Sequence, residues 1–268
     1  MSVGLAGFKT VARALGLRRR HIVEARMRYE RMVVPAMRAP RPALGGRVLC
    51  YHSVGTAEWG VNDVPAALFR RQLNLALSLG YRFVAAKTIA AGHGGERDLA
   101  VTFDDGLRSV FETGAPILAD LGIPWSLFVV CDWADGKHEQ PDLFMGWDEI
   151  HQAALAGVAI GSHSMTHPDF GRLSNLKAQP ELSGSRQVIR ERIGIDVDTF
   201  AIPFGQSHNW SSELSRLAQL AGYSTIYAQA VATRAEGTVP RTFVTGFDGE
   251  RIFRAALDGA FDKWEEAL

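Results

Sequence analysis

Cysteine is nearly missing from this chain of 268 residues: there are two, Cys50 and Cys131. Both fall in apolar runs that read as buried strands, so two free thiols are expected and a disulfide-stapled secreted scaffold is excluded. No run approaches the ~18 consecutive apolar residues of a membrane span. Internal repeats and low-complexity tracts are also missing, which excludes a repeat array or a compositionally disordered chain. Net charge is zero, with 29 Lys and Arg against 29 Asp and Glu. No nucleic-acid partner is expected of such a chain. What is present, 47% apolar and 22% charged residues, is the composition of an ordinary globular protein with one large core or two small ones.

The charge balance is uneven along the chain. Residues 1–42 hold ten basic groups, among them Arg18, Arg19 and Arg20, against Glu24 and Glu30, which leaves 19 basic and 27 acidic groups in residues 43–268. Residues 1–42 are therefore expected to be a basic, helical N-terminal extension, and residues 43–268 the functional domain. The extension reads either as a solvated helical arm or as a peripheral contact with a membrane surface. Leu5, Phe8, Val11 and Leu15 recur at helical spacing beside Lys9 and Arg13. A secretory signal fits poorly, because the arginines follow a short, interrupted apolar run instead of preceding it. A cytoplasmic protein, attached to a membrane periphery if the arm makes that contact, is the expectation.

From residue 47 onward, short apolar runs alternate with amphipathic segments. Strands are expected at Arg47–His52, Arg82–Ala85, Leu99–Phe103, Trp125–Cys131, Val158–Ser162, Thr199–Ile202 and Tyr223–Tyr227, with a last extended piece at Arg241–Thr245. Helices are expected near 65–79, 107–121, 147–156, 175–193, 210–221 and 249–266. Gly80, Gly122, Gly157, Gly194 and Gly222 each follow a helix segment, where a left-handed stop belongs. Strict β–α alternation argues for a parallel sheet wrapped by helices. Seven or so units in one domain favour a closed or nearly closed α/β barrel over an open doubly wound sheet. Either way, functional residues belong at the C-terminal ends of the strands.

Those ends carry the chemistry. The run Leu99-Ala-Val-Thr-Phe-Asp-Asp-Gly106 delivers Asp104 and Asp105 to the end of a strand. Adjacent carboxylates repel, so keeping both ionised calls for a cation or hydrogen-bond donors nearby. About sixty residues on, His163-Ser-Met-Thr-His167-Pro168 ends another strand. One Asp and two His suffice to hold a catalytic divalent metal with an open position, and the second Asp is then free to act as a base. A lone Asp-Asp-Gly is most often a solvated turn; the two histidines at a second strand end argue against that here. His52 closes the first strand, and Pro203-Phe204-Gly205 forms a turn at another. Imidazole and carboxylate ligands suit Zn²⁺ first, with Fe²⁺, Co²⁺ and Ni²⁺ as further candidates.

Thr102-Phe-Asp-Asp-Gly106, His163-Ser-Met-Thr-His167-Pro168 and Phe200-Ala-Ile-Pro-Phe-Gly205 together resemble the motifs of the polysaccharide deacetylases, the NodB-homology family or carbohydrate esterase family 4, over about residues 45–265. The resemblance implies a distorted (β/α) barrel of about seven strands, one divalent metal, and hydrolysis of acetyl groups from N-acetylated sugars. It makes Asp104 the base, and Asp105, His163 and His167 the metal ligands. Pro203 and Phe204 then face the substrate, with a Phe204 N–H as oxyanion donor. Two departures stand out. The third motif often begins with an Arg that supports the base, where this chain has Ala201; Arg241 is the candidate replacement. The usual C-terminal Leu-x-His is missing, since no histidine follows His208. A branch of the family carries the acid-bearing strand first, which makes His52 the general acid and His208 its rival. Trp133, Phe144, Met145 and Trp147 either line a glycan groove by stacking on sugar faces or pack the core. Two alternatives remain at this stage: an amidohydrolase of a non-sugar amide or imide, and a silent glycan-binding module.

Overall fold

The computed structural model of the chain describes residues 19–37, 43–229 and 235–265. Among the described residues ten strands run in order: β1 (Arg47–Tyr51), β2 (Ser53–Val54), β3 (Asp63–Val64), β4 (Arg82–Phe83), β5 (Asp98–Phe103), β6 (Trp125–Val129), β7 (Ala159–Ser162), β8 (Thr199–Ala201), β9 (Thr225–Gln229) and β10 (Val239–Phe243). Seven of them form a ring in the order β1, β10, β9, β8, β7, β6, β5, and β1 pairs with β5 as well as with β10, which closes it. Every strand pairing is parallel, so all seven C-terminal ends meet on one rim. The two-residue β4 extends the sheet at the start of β5, and β2 with β3 makes a separate small sheet. The expected seven-strand barrel is thus present, and the open sheet is not.

The helices are α1 (Arg19–Met37), α2 (Ala66–Ser78), α3 (Ala86–Ala90), α4 (Ala115–Asp120), α5 (Cys131–Ala134), α6 (Trp147–Leu155), α7 (Asn175–Ile193), α8 (Ser212–Leu220) and α9 (Glu250–Leu257). The five glycines expected to stop helices all adopt positive φ, from 63° at Gly122 to 100° at Gly222. Helix α3 is not among the expected helices and shortens the strand before it to Arg82–Phe83, and three further segments differ from expectation. The helix expected over 107–121 contains a wide π-turn at Val110–Gly114, because Pro116 has no N–H to give back to residue 112. Strand β6 stops at Val129, and buried Cys131 opens α5 instead of ending a strand. The last helix stops at Leu257, where Gly259 (φ 83°) turns the chain and sends Phe261 and Trp264 back across the barrel wall.

Phe261 and Trp264 meet α1 there. Met27 of α1 joins a buried cluster with Cys50, Phe243, Ile252, Phe261 and Trp264. Arg31 is fully buried: its guanidinium lies 4.2 Å from the Phe261 ring and 4.5 Å from Trp264, pairs with Asp248 at 3.3 Å, and donates to the Phe243 carbonyl at 2.7 Å. The extension is therefore helical over Arg19–Met37 and seated on the barrel. Its apolar residues Leu5, Phe8, Val11 and Leu15 lie outside the described residues. No helix among the described residues is long and apolar enough to cross a membrane.

Alternate residues of a barrel strand point inward. Val48, Ala100, Phe128, Ala201 and Tyr227 form one interior cluster. Further along the same strands and β10, Cys50, His52, Asp104, Gln229, Arg241 and Phe243 line a cavity of 220 Å³ that opens at the C-terminal rim. The large rings below that cavity leave little space: a Cβ at Gly161 would stand 2.5 Å from both Phe128 and the Thr199 hydroxyl. Gly161→Ala is accordingly expected to destabilise the fold by about 1–3 kcal/mol, the usual range for overpacking. A thermal midpoint within a degree of the parent would show that the interior is looser than this.

Candidate active site

Strand β5 ends at Phe103, and Asp104 continues its pairing by one bond, donating its N–H to the Tyr51 carbonyl at 3.1 Å. Asp105 then adopts φ 72°, a left-handed conformation that costs a non-glycine residue about 1 kcal/mol, and Gly106 follows at φ 77°. This double turn leaves both carboxylates buried, at 3% and 5% exposure. Sequential neighbours on an extended strand would face opposite ways; the left-handed residue is what brings Asp105 to the same rim as Asp104.

The histidines reach that point by similar means. His163 follows β7, and its N–H continues the pairing to the Val129 carbonyl at 2.8 Å. Ser164 (φ 74°) and His167 (φ 60°) are both left-handed. The loop between them is held from two sides. Ser164 Oγ accepts from the His167 N–H at 2.9 Å. Glu181 of α7 accepts from the N–H groups of Met165 and Thr166, both at 3.0 Å, and from the Thr166 hydroxyl at 2.8 Å. The result brings the two imidazoles to a centroid separation of 4.9 Å. Phe204, with φ 63°, completes the set: all four non-glycine residues with positive φ among the described residues lie at this rim.

Asp105 Oδ1 sits 3.6 Å from His163 Nε2 and 3.5 Å from His167 Nε2. It is buried and accepts no hydrogen bond. His163 Nδ1 lies 2.8 Å from the Ala201 carbonyl. A carbonyl only accepts, so Nδ1 carries the proton and Nε2 presents its lone pair toward Asp105. Burial pushes both histidines below their ordinary range, His167 further because His163 lies beside it. Burial, reinforced by the Asp104 charge, pushes Asp105 well above the usual carboxylate range, against a smaller pull from the Trp59 side chain. The three groups are unfavourable in each other's company without a cation. With one they are satisfied together: ligands held 2.0–2.1 Å from a tetrahedral ion lie about 3.3 Å apart, close to the separations found here. The donor set fits a divalent metal.

Asp104 has a different partner. Arg241 donates two bonds to it, Nη1 to Oδ1 at 2.6 Å and Nη2 to Oδ2 at 2.7 Å, and both side chains are buried. Burial would raise the Asp104 pKa, but the guanidinium outweighs it and holds the carboxyl well below its usual range. Arg241 lies on β10, which flanks β1 on the side away from β5. At Ala201 the only role near the site falls to the backbone, which orients His163. Cys50 Sγ lies 3.5 Å from Asp104 Oδ2.

Of the other expected residues, His52 lines the cavity, with its ring edge-on to Phe243 at 5.2 Å. Phe204 lines it too, edge-on to His167 at 4.8 Å. Pro203 is buried behind Phe204 and does not line the cavity, while His208 is exposed on the turn Ser207–Asn209, away from it. Among the four aromatic-loop residues, Trp133 lines the cavity and stacks on His167 at 5.0 Å. Phe144 and Met145 are core, and Trp147 donates its indole N–H to Asp135. His138 is half-buried against Trp133 and Phe144. The sequence reading missed Trp59, Asn62, Cys50, Gln229 and Phe243 as lining residues. A two-residue period from His52 and Arg241 would have found Cys50 and Phe243. Trp59 and Asn62 lie on a loop whose shape no period encodes.

The chain is similar to known proteins in sequence and in fold. A sequence model of the polysaccharide deacetylase family matches residues 91–226, which include Asp104, Asp105, His163 and His167 but not His52 or Arg241. The putative polysaccharide deacetylase YxkH of Bacillus subtilis (strain 168) is 21% identical over 181 residues, covering 66% of this chain; the chain spans 61% of that relative's length. The Streptococcus pyogenes deacetylase PplD, solved in complex with acetate, superposes with a TM-score of 0.67 at 15% identity, covering 81% of this chain and 99% of that one. IcaB from Ammonifex degensii does so with a TM-score of 0.66 at 22% identity, covering 80% and 97%. A de-N-acetylase from Aggregatibacter actinomycetemcomitans gives 0.68 at 19%, covering 79% and 99%. At these identities the structural likeness is one of fold. With the family match over half its length, the chain belongs to the polysaccharide deacetylase family.

Proposed function

We propose that this protein is a metal-dependent hydrolase that removes the acetyl group from an N-acetylated sugar. The observation that carries the reading is the orphaned, buried Asp105 Oδ1 facing two imidazole nitrogens beside a carboxylate already neutralised by Arg241. Asp105, His163 and His167 would hold the metal, which when bound supplies Lewis acidity to an otherwise unreactive amide. Zn²⁺ suits this donor set best. A complete ligand set with a free base beside it weighs against a silent binding module.

Asp104 is the base that accepts a proton from the attacking water as the new C–O bond forms. Its ion pair keeps it ionised and aimed into the cavity. The tetrahedral oxyanion is held in part by a backbone N–H at Phe204. The C–N bond then breaks, and the sugar amine leaves with a proton from His52. Burial lowers the His52 pKa to about 4, so the ring is neutral at rest. The proton it gives is therefore one received during the reaction, passed on from Asp104, whose carboxylate lies within 4.8 Å. The products are acetate and a free amine.

Elemental analysis of the purified protein should give close to one divalent metal ion per chain. The same preparation should release acetate from N-acetylglucosamine oligosaccharides, lose that activity to a chelator and regain it with Zn²⁺. Acetate release that survives complete metal removal overturns the reading.

Asp104→Asn should retain the metal and lose about 10²–10⁴-fold in kcat. Arg241→Met removes the charge that holds Asp104 low, so the acidic limb of the kcat/KM profile should move to higher pH. That variant should also lose about 3–5 kcal/mol of stability through the uncompensated buried carboxylate. An unmoved acidic limb would mean that Asp104 is not the titrating base.

Stability carries a second pH signature. His52 titrates near 6.5 in the unfolded chain and near 4 when folded, so between those values the unfolded chain binds more protons. The chelated protein should therefore lose stability as pH falls from 6.5 to 4, by up to about 3 kcal/mol from this residue. His52→Gln should flatten the dependence of the urea midpoint on pH over that interval. A parallel curve would place His52 in contact with solvent.

A further inference from the structure

The Ala57–Asn62 segment supplies no reacting group to the chemistry above, yet it reaches the cavity with two side chains, Asn62 and Trp59, the latter beside Asp105. It joins β2 to β3, and its shape is fixed at three points. Asp63 Oδ1 accepts from the Ser53 hydroxyl at 2.7 Å and from the Thr56 N–H at 2.8 Å. The Val61 carbonyl accepts from the Gly246 N–H at 3.0 Å. Gly60 breaks the helical turn with φ 67° and ψ −133°, a conformation open to glycine. That reversal sits between the two cavity residues. Trp59 is wedged edge-on against Phe144 at 5.4 Å and Trp133 at 6.4 Å.

Asn62 Oδ1 is buried and has no hydrogen-bond partner. A buried amide oxygen left unpaired costs about 1–3 kcal/mol, and native structures leave few such atoms without water or a ligand; the rest of the half-buried Asn62 side chain faces the cavity. A carboxamide both donates and accepts, as a hydroxyl does. An aromatic wall for the apolar face of a pyranose, with an amide beside it for a hydroxyl, is the chemistry a sugar ring requires.

We propose that the Ala57–Asn62 turn is the sugar-recognition element of this site, in which the Asn62 carboxamide hydrogen-bonds one hydroxyl of the ring that bears the acetamide. This rests on the deacetylase reading above. Asn62 acts on binding and not on proton transfer, so its loss falls on KM.

Steady-state acetate release is measured on methyl N-acetylglucosaminide and its monodeoxy analogues, with the metal-loaded parent and Asn62→Leu. The variant should keep its metal content and a kcat within about threefold, and raise KM about tenfold, the loss expected for one hydrogen bond to a neutral group. One monodeoxy compound should cost the parent a similar factor and cost the variant nothing more. That non-additivity is a signature that a collapsed loop would not produce. An unchanged KM in Asn62→Leu, or full additivity for every monodeoxy compound, overturns the inference while leaving the deacetylase reading intact. No acetate release by the parent overturns both.

Discussion

The site depends on one ion pair inside the barrel. Asp104 and Arg241 are both buried, and neither charge survives there alone: removing either partner strands the other in a medium where an isolated charge costs several kcal/mol. The pair ties β5 to β10 on either side of β1. By neutralising Asp104 it also separates the fates of two adjacent carboxylates. Asp104 is satisfied by protein, and Asp105 Oδ1 faces the two imidazoles with no hydrogen-bond donor. Two chemically identical side chains, one residue apart, thereby acquire different roles, set by what each one faces.

Much of this arrangement is legible in the sequence because it obeys periods. Strand ends, the glycine stops and the seven-unit alternation all follow from hydrophobic patterning. Closed barrels place the ends of parallel strands on one rim, so Asp104, Asp105, His52 and the two histidines could be grouped before any coordinates. Arg241 was reachable only through the family resemblance: Ala201 stands where the motif often has an Arg, and Arg241 sits at the start of the last expected extended segment. What periodicity does not encode is the left-handed backbone at Asp105, Ser164, His167 and Phe204. Those conformations decide which way each side chain turns, and they are sustained by hydrogen bonds from distant residues such as Glu181.

Residue type misled where burial overrode it. Arg31 belongs to a basic segment and reads as a solvated charge, yet three aromatic rings and Asp248 enclose it. Trp59 and Asn62 sit in a stretch with no apolar alternation, so nothing local marks them as facing a cavity. Their placement follows from Gly60 and from contacts to Ser53 and Gly246, which are visible only once the chain is folded.

Closure of the barrel has a consequence for biosynthesis. Strand β1, which positions His52, is made early but completes its pairing with β10, and Arg31 waits for Asp248, Phe261 and Trp264. A nascent chain emerging from the ribosome can pair β1 with β5 and assemble β5 through β9 while the other edge of β1 and Arg31 still lack their partners. The rim that carries Asp104 and Arg241 is then the last part of the molecule to mature, and until residues 239–264 emerge, Met27 and Arg31 of α1 lack the rings that cover them.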